Sequence, residues 1–383
     1  MVAPQITSAG KQPANTFAAA LKNESSLVVI LATVGFFFWS GDQIAEELEH
    51  PVWITAVFIF LFVIVLWSAI SVMRHADVVA QKLGEPYGTL VLTLAAISIE
   101  VVTISAAMLH GANNPTLARD MMFAVLMIAL NGLVGSCLLI GGLRHREQHY
   151  NIRGVNSYLN AIVALSVLGL VLPNYTISVR GPRFSLAQEI FIVISSIALY
   201  GIFLLIQTSR HSNFFLEPKR VAIEPEAPHH SPSRSGAFHG MFMVVYLAAV
   251  VFLAEKLAIP LDNLIERFSM PQAFGGAIVA ALVLAPEGLS ALHAASCNHL
   301  QRAVNILHGS VLATIGLTIP AVLLIGQITG RSVTLGLEGG NLPLLLLTLA
   351  ISIVTFANGR TNVLQGCTHL LLFAVFLLLI FCP

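Results

Sequence analysis

The chain runs to 383 residues, of which 56% are hydrophobic and only 10% charged, where a soluble domain carries about a quarter charged residues. That balance excludes a water-soluble globular protein and describes a chain built for a lipid bilayer. Nineteen Lys and Arg offset nineteen Asp and Glu, so nothing marks the chain for nucleic acid, and four cysteines without a Cys-x-x-Cys pair give no disulfide or zinc framework.

The first 26 residues are polar, and no small-residue cleavage pattern follows the first apolar run, so that run is expected to remain as a helix. Spanning helices need about 17–25 apolar residues. Runs of about that length fall near 27–41, 51–73, 87–110, 120–142, 156–173, 186–207, 238–256, 272–295, 302–326, 341–357 and 363–382. The expected fold is therefore an all-α membrane protein of about eleven transmembrane helices. The longest polar stretch, 208–237, is rich in Pro, Ser and charge and reads as a solvated linker. It divides the chain into a polar N-terminus with the first helix (1–50), a five-helix unit (51–207), the linker, and a second five-helix unit (238–383).

Thirteen of the nineteen Lys and Arg fall in alternate polar segments counted from the N-terminus, which places the N-terminus in the cytoplasm and the C-terminus outside. Two consecutive five-helix units must then insert with opposite orientation, the inverted-repeat plan of secondary transporters. Two local matches support a duplication. Tyr87-Gly88 precedes Glu100, and Phe274-Gly275 precedes Glu287, at the same distance. In the following span of each unit, Asn131-x-x-x-Gly135-Ser136 answers Asn305-x-x-x-Gly309-Ser310.

Glu100 and Glu287 stand alone in long apolar stretches. An ionised carboxylate at bilayer depth costs about 2.5–3.5 kcal/mol on insertion scales, so such a residue marks a function by default. A hard cation needs oxygen ligands. Glu100 and Glu287 could supply carboxylates, Asn131 and Asn305 amides, and Ser98, Ser136 and Ser310 hydroxyls. Broken helices would add carbonyls, and Pro286 leaves the carbonyl of Leu282 without its helical donor. The alternatives are plain: a neutral Glu that joins helices, and Gly-Ser pairs that pack helices closely. Packing is the expected role of Gly135 and Gly309, whereas Ser136 and Ser310 read either way. Glu85 could be an entrance carboxylate or a helix N-terminal charge, and Arg74-His75-Ala76-Asp77 reads as an interfacial anchor.

Two neighbouring carboxylates titrate as a coupled unit, and a cation entering between them displaces protons. One site opened alternately to each side would exchange a cation for protons without a cofactor; the lipid bilayer, inorganic cations and protons are the only partners implied. A cation channel or uniporter is the alternative. Protease signatures of the His-Glu-x-x-His and Gly-x-Ser-x-Gly type and a phosphate-binding loop are all absent from the sequence, so an enzyme is not expected.

At these positions the chain resembles the cation/proton exchanger branch of the calcium/cation antiporter superfamily. The resemblance is carried by Arg74–Asp77, Gly84-Glu-Pro-Tyr-Gly88, Glu100–Ser105, Pro286–Leu292, Gln301–Asn305, Gly309–Ile315 and Gly359–Asn362, and it runs from about residue 51 to the C-terminus. It implies eleven helices, a bacterial inner-membrane location, calcium, sodium or potassium exchanged for protons, and acidic ligands at Glu100 and Glu287. The chain departs from the wider family's Gly-Asn-Ala-x-Glu pattern: Ile97 and Leu284 stand where asparagines would precede each acid. Two amide oxygens fewer leaves room for sodium or potassium beside calcium.

Overall fold

The computed structural model describes residues 24–46, 51–83, 87–110, 115–217 and 235–382. Glu85 and most of the 208–237 linker lie outside them. Within them the chain is all-α apart from one short strand pair. The helices are α1 (Ser25–Glu46), α2 (Pro51–Leu83), α3 (Tyr87–His110), α4 (Leu117–Met127), α5 (Val134–His145), α6 (Ile152–Ser166), α7 (Leu186–Leu205), α8 (Gly236–Arg267), α9 (Gln272–Ser296), α10 (Leu300–Ala313), α11 (Ile319–Thr329), α12 (Asn341–Thr355) and α13 (Val363–Phe381). A π turn, Ile128–Leu133, joins α4 to α5, and another, Thr314–Thr318, joins α10 to α11. Leu117–His145 and Leu300–Thr329 are thus single spans of 29 and 30 residues. Helices dominate because no backbone polar group can go unpaired in hydrocarbon.

Among the described residues, eight helical spans are long and apolar enough to cross a membrane, and three shorter apolar helices accompany them. Each expected span has its helix. The largest departures are α2 and α8, of 33 and 32 residues. Both run about ten residues past the apolar stretches at 51–73 and 238–256. Hydropathy marks where lipid ends; residues such as Arg74, Asp77 and Lys82 end an apolar run without ending a helix. α8 even passes through Pro260.

Two apolar clusters organise the bundle. One joins α2 to α8, with Leu61, Val65 and Val72 in the same buried set as Phe242, Val250 and Leu253. The other gathers α4, α10, α11 and their neighbours around Met122, Leu126, Val311 and Ile315. At the α1 end of the first lies a buried polar knot. Glu24 pairs with Arg74 and accepts from Tyr246 at 3.2 Å, Tyr246 bonds Ser26 at 2.7 Å, and the Nδ1 atoms of His75 and His239 lie 2.9 Å apart. α1 is tied by this knot to both long helices.

α5 and α13 approach closely where glycine allows it. A Cβ on Gly366 would sit 2.6 Å from the Leu139 nitrogen, and one on Gly135 would sit 3.0 Å from the Leu370 nitrogen. The loops before α6 and α13 are pinned by the antiparallel pair β1 (Gln148–His149) and β2 (Arg360–Thr361). Ser185 with Gln188 and Asn362 with Gln365 form capping boxes that start α7 and α13.

The segment between α11 and α12 is extended and buried rather than a solvated loop. Val333, Leu335 and Leu337 are all buried, and backbone bonds run from Thr334 to Pro115 (2.8 Å), Gly336 to Pro182 (3.2 Å) and Leu337 to Leu170 (2.8 Å). Arg119 donates to the Gly336 carbonyl at 3.0 Å, and Arg331 reaches the Met108 carbonyl at the end of α3. This strap closes one end of the bundle.

Candidate functional site

Glu100 lies on α3 and Glu287 on α9, and both face one cavity of about 330 Å³. Glu100 is 4% exposed. Its Oε2 accepts from the Thr314 hydroxyl at 2.7 Å, and Thr318 also approaches the carboxyl. The other oxygen, Oε1, is buried without a partner. Glu287 is half-buried against the cavity; Ser310 approaches its carboxyl, and its Oε2 is buried without a partner. The two acids are near enough for charge on one to act on the other. Each carboxylate therefore keeps one oxygen unsatisfied by the protein, which is costly at depth unless a proton or cation takes it.

Local helix geometry explains the hydroxyls. Thr314 and Thr318 bracket the π turn four residues apart, which brings both to the Glu100 side, and π turns are frequent at functional sites. Ser310, on the last turns of α10, serves Glu287 instead. Asn305 also lines the cavity, donating to the Phe215 carbonyl at 2.7 Å and accepting from Gln301 at 2.8 Å. Ile97 presents an apolar wall beside Glu100, whereas Leu284 is buried in the core away from the lining.

The cavity is polar at one end. Asp77, Arg302, Gln207 and Ser290 line it, and Asp77 and Arg302 are both exposed. Asp77 sits near the C-terminal end of α2 and Arg302 at the start of α10. The strap meets the far end of α3, the helix that carries Glu100, at the Met108 carbonyl, and it follows α11, the continuation of α10. The cavity thus carries its exposed charged residues at one end, and the strap lies at the far end of the spans that wall it. Asp77, read from sequence as part of an interfacial anchor, is a lining residue.

Other expected ligands lie elsewhere. Asn131 is fully buried between α12 and α13: its amide donates to Thr348 at 2.8 Å, and its Oδ1 faces His369 Nδ1 at 3.1 Å. Because Oδ1 only accepts, His369 carries its proton on Nδ1, and Nε2 accepts from Thr355 at 3.0 Å. Ser136 bonds back to the Gly132 carbonyl at 2.7 Å. Ser98 is half-buried and off the lining, since residues two apart on a helix face different sides.

The two Asn-x-x-x-Gly-Ser motifs also differ in depth. Asn131 lies fourteen residues past Leu117 and Asn305 five past Leu300, in spans of 29 and 30 residues. The register of the match is therefore wrong by about two and a half turns. Gly135 packs tightly as expected, but a Cβ on Gly309 would meet only Tyr158 at 3.7 Å, so Gly309 borders open cavity. Neither glutamate helix is broken: α3 and α9 run without interruption, α9 through Pro286. Sequence reasoning missed Thr314 and Thr318, whose four-residue spacing was the available signal.

The model of the sodium/calcium exchanger protein family matches residues 53–209 and 238–382, omitting α1 and most of the linker. The chain belongs to that family. Among its relatives, the sodium-potassium/proton antiporter ChaA of Escherichia coli (strain K12) is 40% identical over 94% of this chain and 96% of its own. A putative ionic transporter, y4hA, of Sinorhizobium fredii is 42% identical over 80% of this chain and 83% of its own. In three dimensions the exchanger resembles the solved Ca2+/H+ antiporter protein YfkE, with a TM-score of 0.70 at 20% identity over 94% of this chain and all of that one. That likeness establishes the fold of this exchanger. Among the described residues no three His, Cys, Asp or Glu converge as a metal site, and the acids that line the cavity are Glu100, Glu287 and, at its exposed end, Asp77.

Proposed function

We propose that this exchanger is a secondary antiporter of the inner membrane, trading a cation for protons at one site between Glu100 and Glu287. One observation carries the reading: two acids share a cavity, and each has one unpartnered oxygen. A bound cation or a proton satisfies those oxygens, and the two compete. Thr314, Thr318, Ser310 and Asn305 are the neutral oxygens available to either cargo. The cargo class is sodium and potassium with calcium beside them. The relative named a sodium-potassium/proton antiporter supports this, as does the apolar Ile97 wall where an amide would add a divalent ligand.

Alternating access supplies the vectorial step. The bias of basic residues sets the mouth at Asp77 and Arg302 on the cytoplasmic side, with the N-terminus cytoplasmic and the C-terminus periplasmic. The strap then blocks the periplasmic end, which favours exchange over an open pore. Two inverted units, 51–207 and 238–383, rocking about the site would exchange the open and sealed ends. Helix pairs of like length support that division: α2 and α8 have 33 and 32 residues, and α3 and α9 have 24 and 25.

The test is proton movement in proteoliposomes under a pH gradient, with sodium, potassium and calcium added in turn. Cation-triggered proton flux in the wild type, absent in both Glu100→Gln and Glu287→Gln, is the expected result. Cation passage without proton movement would make the protein a channel. Full exchange in both variants would place the site elsewhere.

A further inference from the structure

Asp77 and Arg302 have no part in the ligand shell, yet both line the cavity that holds Glu287 and are exposed at its mouth. Asp77 comes from α2 and Arg302 from the first turn of α10. Both are exposed, and their charges act on one another. Asp77 also lies toward the C-terminal end of its span. The lipid-facing apolar residues of α2 run from Val52 to Ile70, and Asp77 is seven residues further on, about 10 Å along the helix axis. With both side chains exposed, the pair acts on the vestibule as a field rather than a bond.

We infer that Asp77 and Arg302 form a compensated charge pair at the cavity mouth that sets how strongly the vestibule gathers cations according to their valence. The inference rests on the antiport reading of the site. A vestibule leading to two carboxylates would, with Asp77 alone, concentrate divalent cations over monovalent ones. Arg302 cancels that advantage and keeps abundant monovalent cations competitive. The magnitude follows from Coulomb's law. One unit charge about 10 Å from the ion path, at the dielectric of water, alters the local concentration of a monovalent cation about twofold. Valence multiplies the exponent, so the same charge alters a divalent cation by the square of that factor, about fourfold.

This gives a signature that a structural role lacks. The experiment measures the half-saturating sodium and calcium concentrations for cation-driven proton flux in proteoliposomes at about 10 mM ionic strength, where screening reaches only about 30 Å. Arg302→Gln should lower the value about twofold for sodium and fourfold for calcium. Asp77→Asn should raise both by the same factors. The double variant should return to wild-type values, and Arg302→Lys, which keeps the charge, should stay there. Choline chloride at about 0.5 M should erase the differences by screening.

Equal shifts for both ions, shifts that survive high salt, or a double variant that fails to revert would each overturn the inference. Wild-type exchange with no shift in Arg302→Gln overturns it while leaving the antiport reading intact. A wild type that moves no protons removes the antiport reading itself.

Discussion

Replacing Thr314 with valine removes one oxygen and keeps the shape of the side chain. In the structure that oxygen donates to Glu100 Oε2 at 2.7 Å, while Oε1 already lacks a partner. The variant would leave a fully buried carboxyl with neither oxygen held by Thr314 and only Thr318 nearby. A hydrogen bond to a charged group contributes about 1.5–3 kcal/mol, which is about one to two decades in an equilibrium constant. In the antiport proposed above, cation capture requires Glu100 as a carboxylate, with the same hydroxyl as a neutral ligand beside it. Proton flux at low sodium should therefore fall about 10- to 100-fold in Thr314→Val and recover in part at saturating sodium. Thr314→Ser, which keeps the hydroxyl, should stay within about threefold of wild type. Thr318→Val should cost less, because the Thr318 hydroxyl makes no hydrogen bond of its own. The assay is initial rate against sodium concentration in proteoliposomes. A valine variant within twofold of wild type at low sodium would refute the assignment of Thr314 to the site.

Three further outcomes follow from the packing. Gly366→Ala should destabilise the protein by about 1–3 kcal/mol, because the added carbon would sit 2.6 Å from the Leu139 nitrogen; Gly201→Ala, with nothing within 4 Å, should be neutral or stabilising. Denaturation in detergent reads both, and equal effects would contradict the glycine contact. Tyr246→Phe removes the hydroxyl that joins Ser26 and Glu24 and should cost about 1.5–3 kcal/mol in the same measurement; an unchanged midpoint would mean that the knot does not hold α1. Leu337→Asp places a carboxylate at a fully buried strap position, at a cost of several kcal/mol. It should raise passive sodium leak about tenfold or more in vesicles without a proton gradient, and an unchanged leak would remove the strap as the seal.

The two acids were legible in the sequence because a charge in an apolar run is rare and expensive, so a single letter carries much information. The helices that hold them were legible for the same reason: lipid enforces long unbroken runs. What misled was similarity drawn from a small alphabet. Asn, Gly and Ser recur in membrane helices wherever helices approach, and the match between Asn131 and Asn305 joined a packing centre to a cavity wall. Thr314 and Thr318 were passed over because hydroxyls in membrane helices commonly bond their own backbone, as Thr103 does to the Ile99 carbonyl at 2.7 Å. The cavity face of Asp77 was not legible because its neighbours in sequence, Arg74 and His75, belong to the α1 knot. One turn of helix separates that knot from the cavity, and only the fold tells the faces apart. The strap did leave a trace: Val333, Leu335 and Leu337 alternate with smaller or polar residues, the pattern of an extended segment rather than a solvated loop.

The overshoot of α2 makes membrane thickness an input to transport. At 33 residues the helix is about 50 Å long, while the hydrocarbon it crosses is about 30 Å. Its lipid-facing apolar band, Val52 to Ile70, matches that thickness when the helix stands nearly upright. A thicker bilayer would draw Arg74 and Asp77 toward hydrocarbon, and a thinner one would tilt the helix. α8 packs along α2 and must follow. The mouth of the cavity is carried on the protruding end of α2, so lipid chain length sets where that mouth sits. Reconstitution in lipids of graded acyl length should therefore give an optimum in exchange rate rather than a plateau.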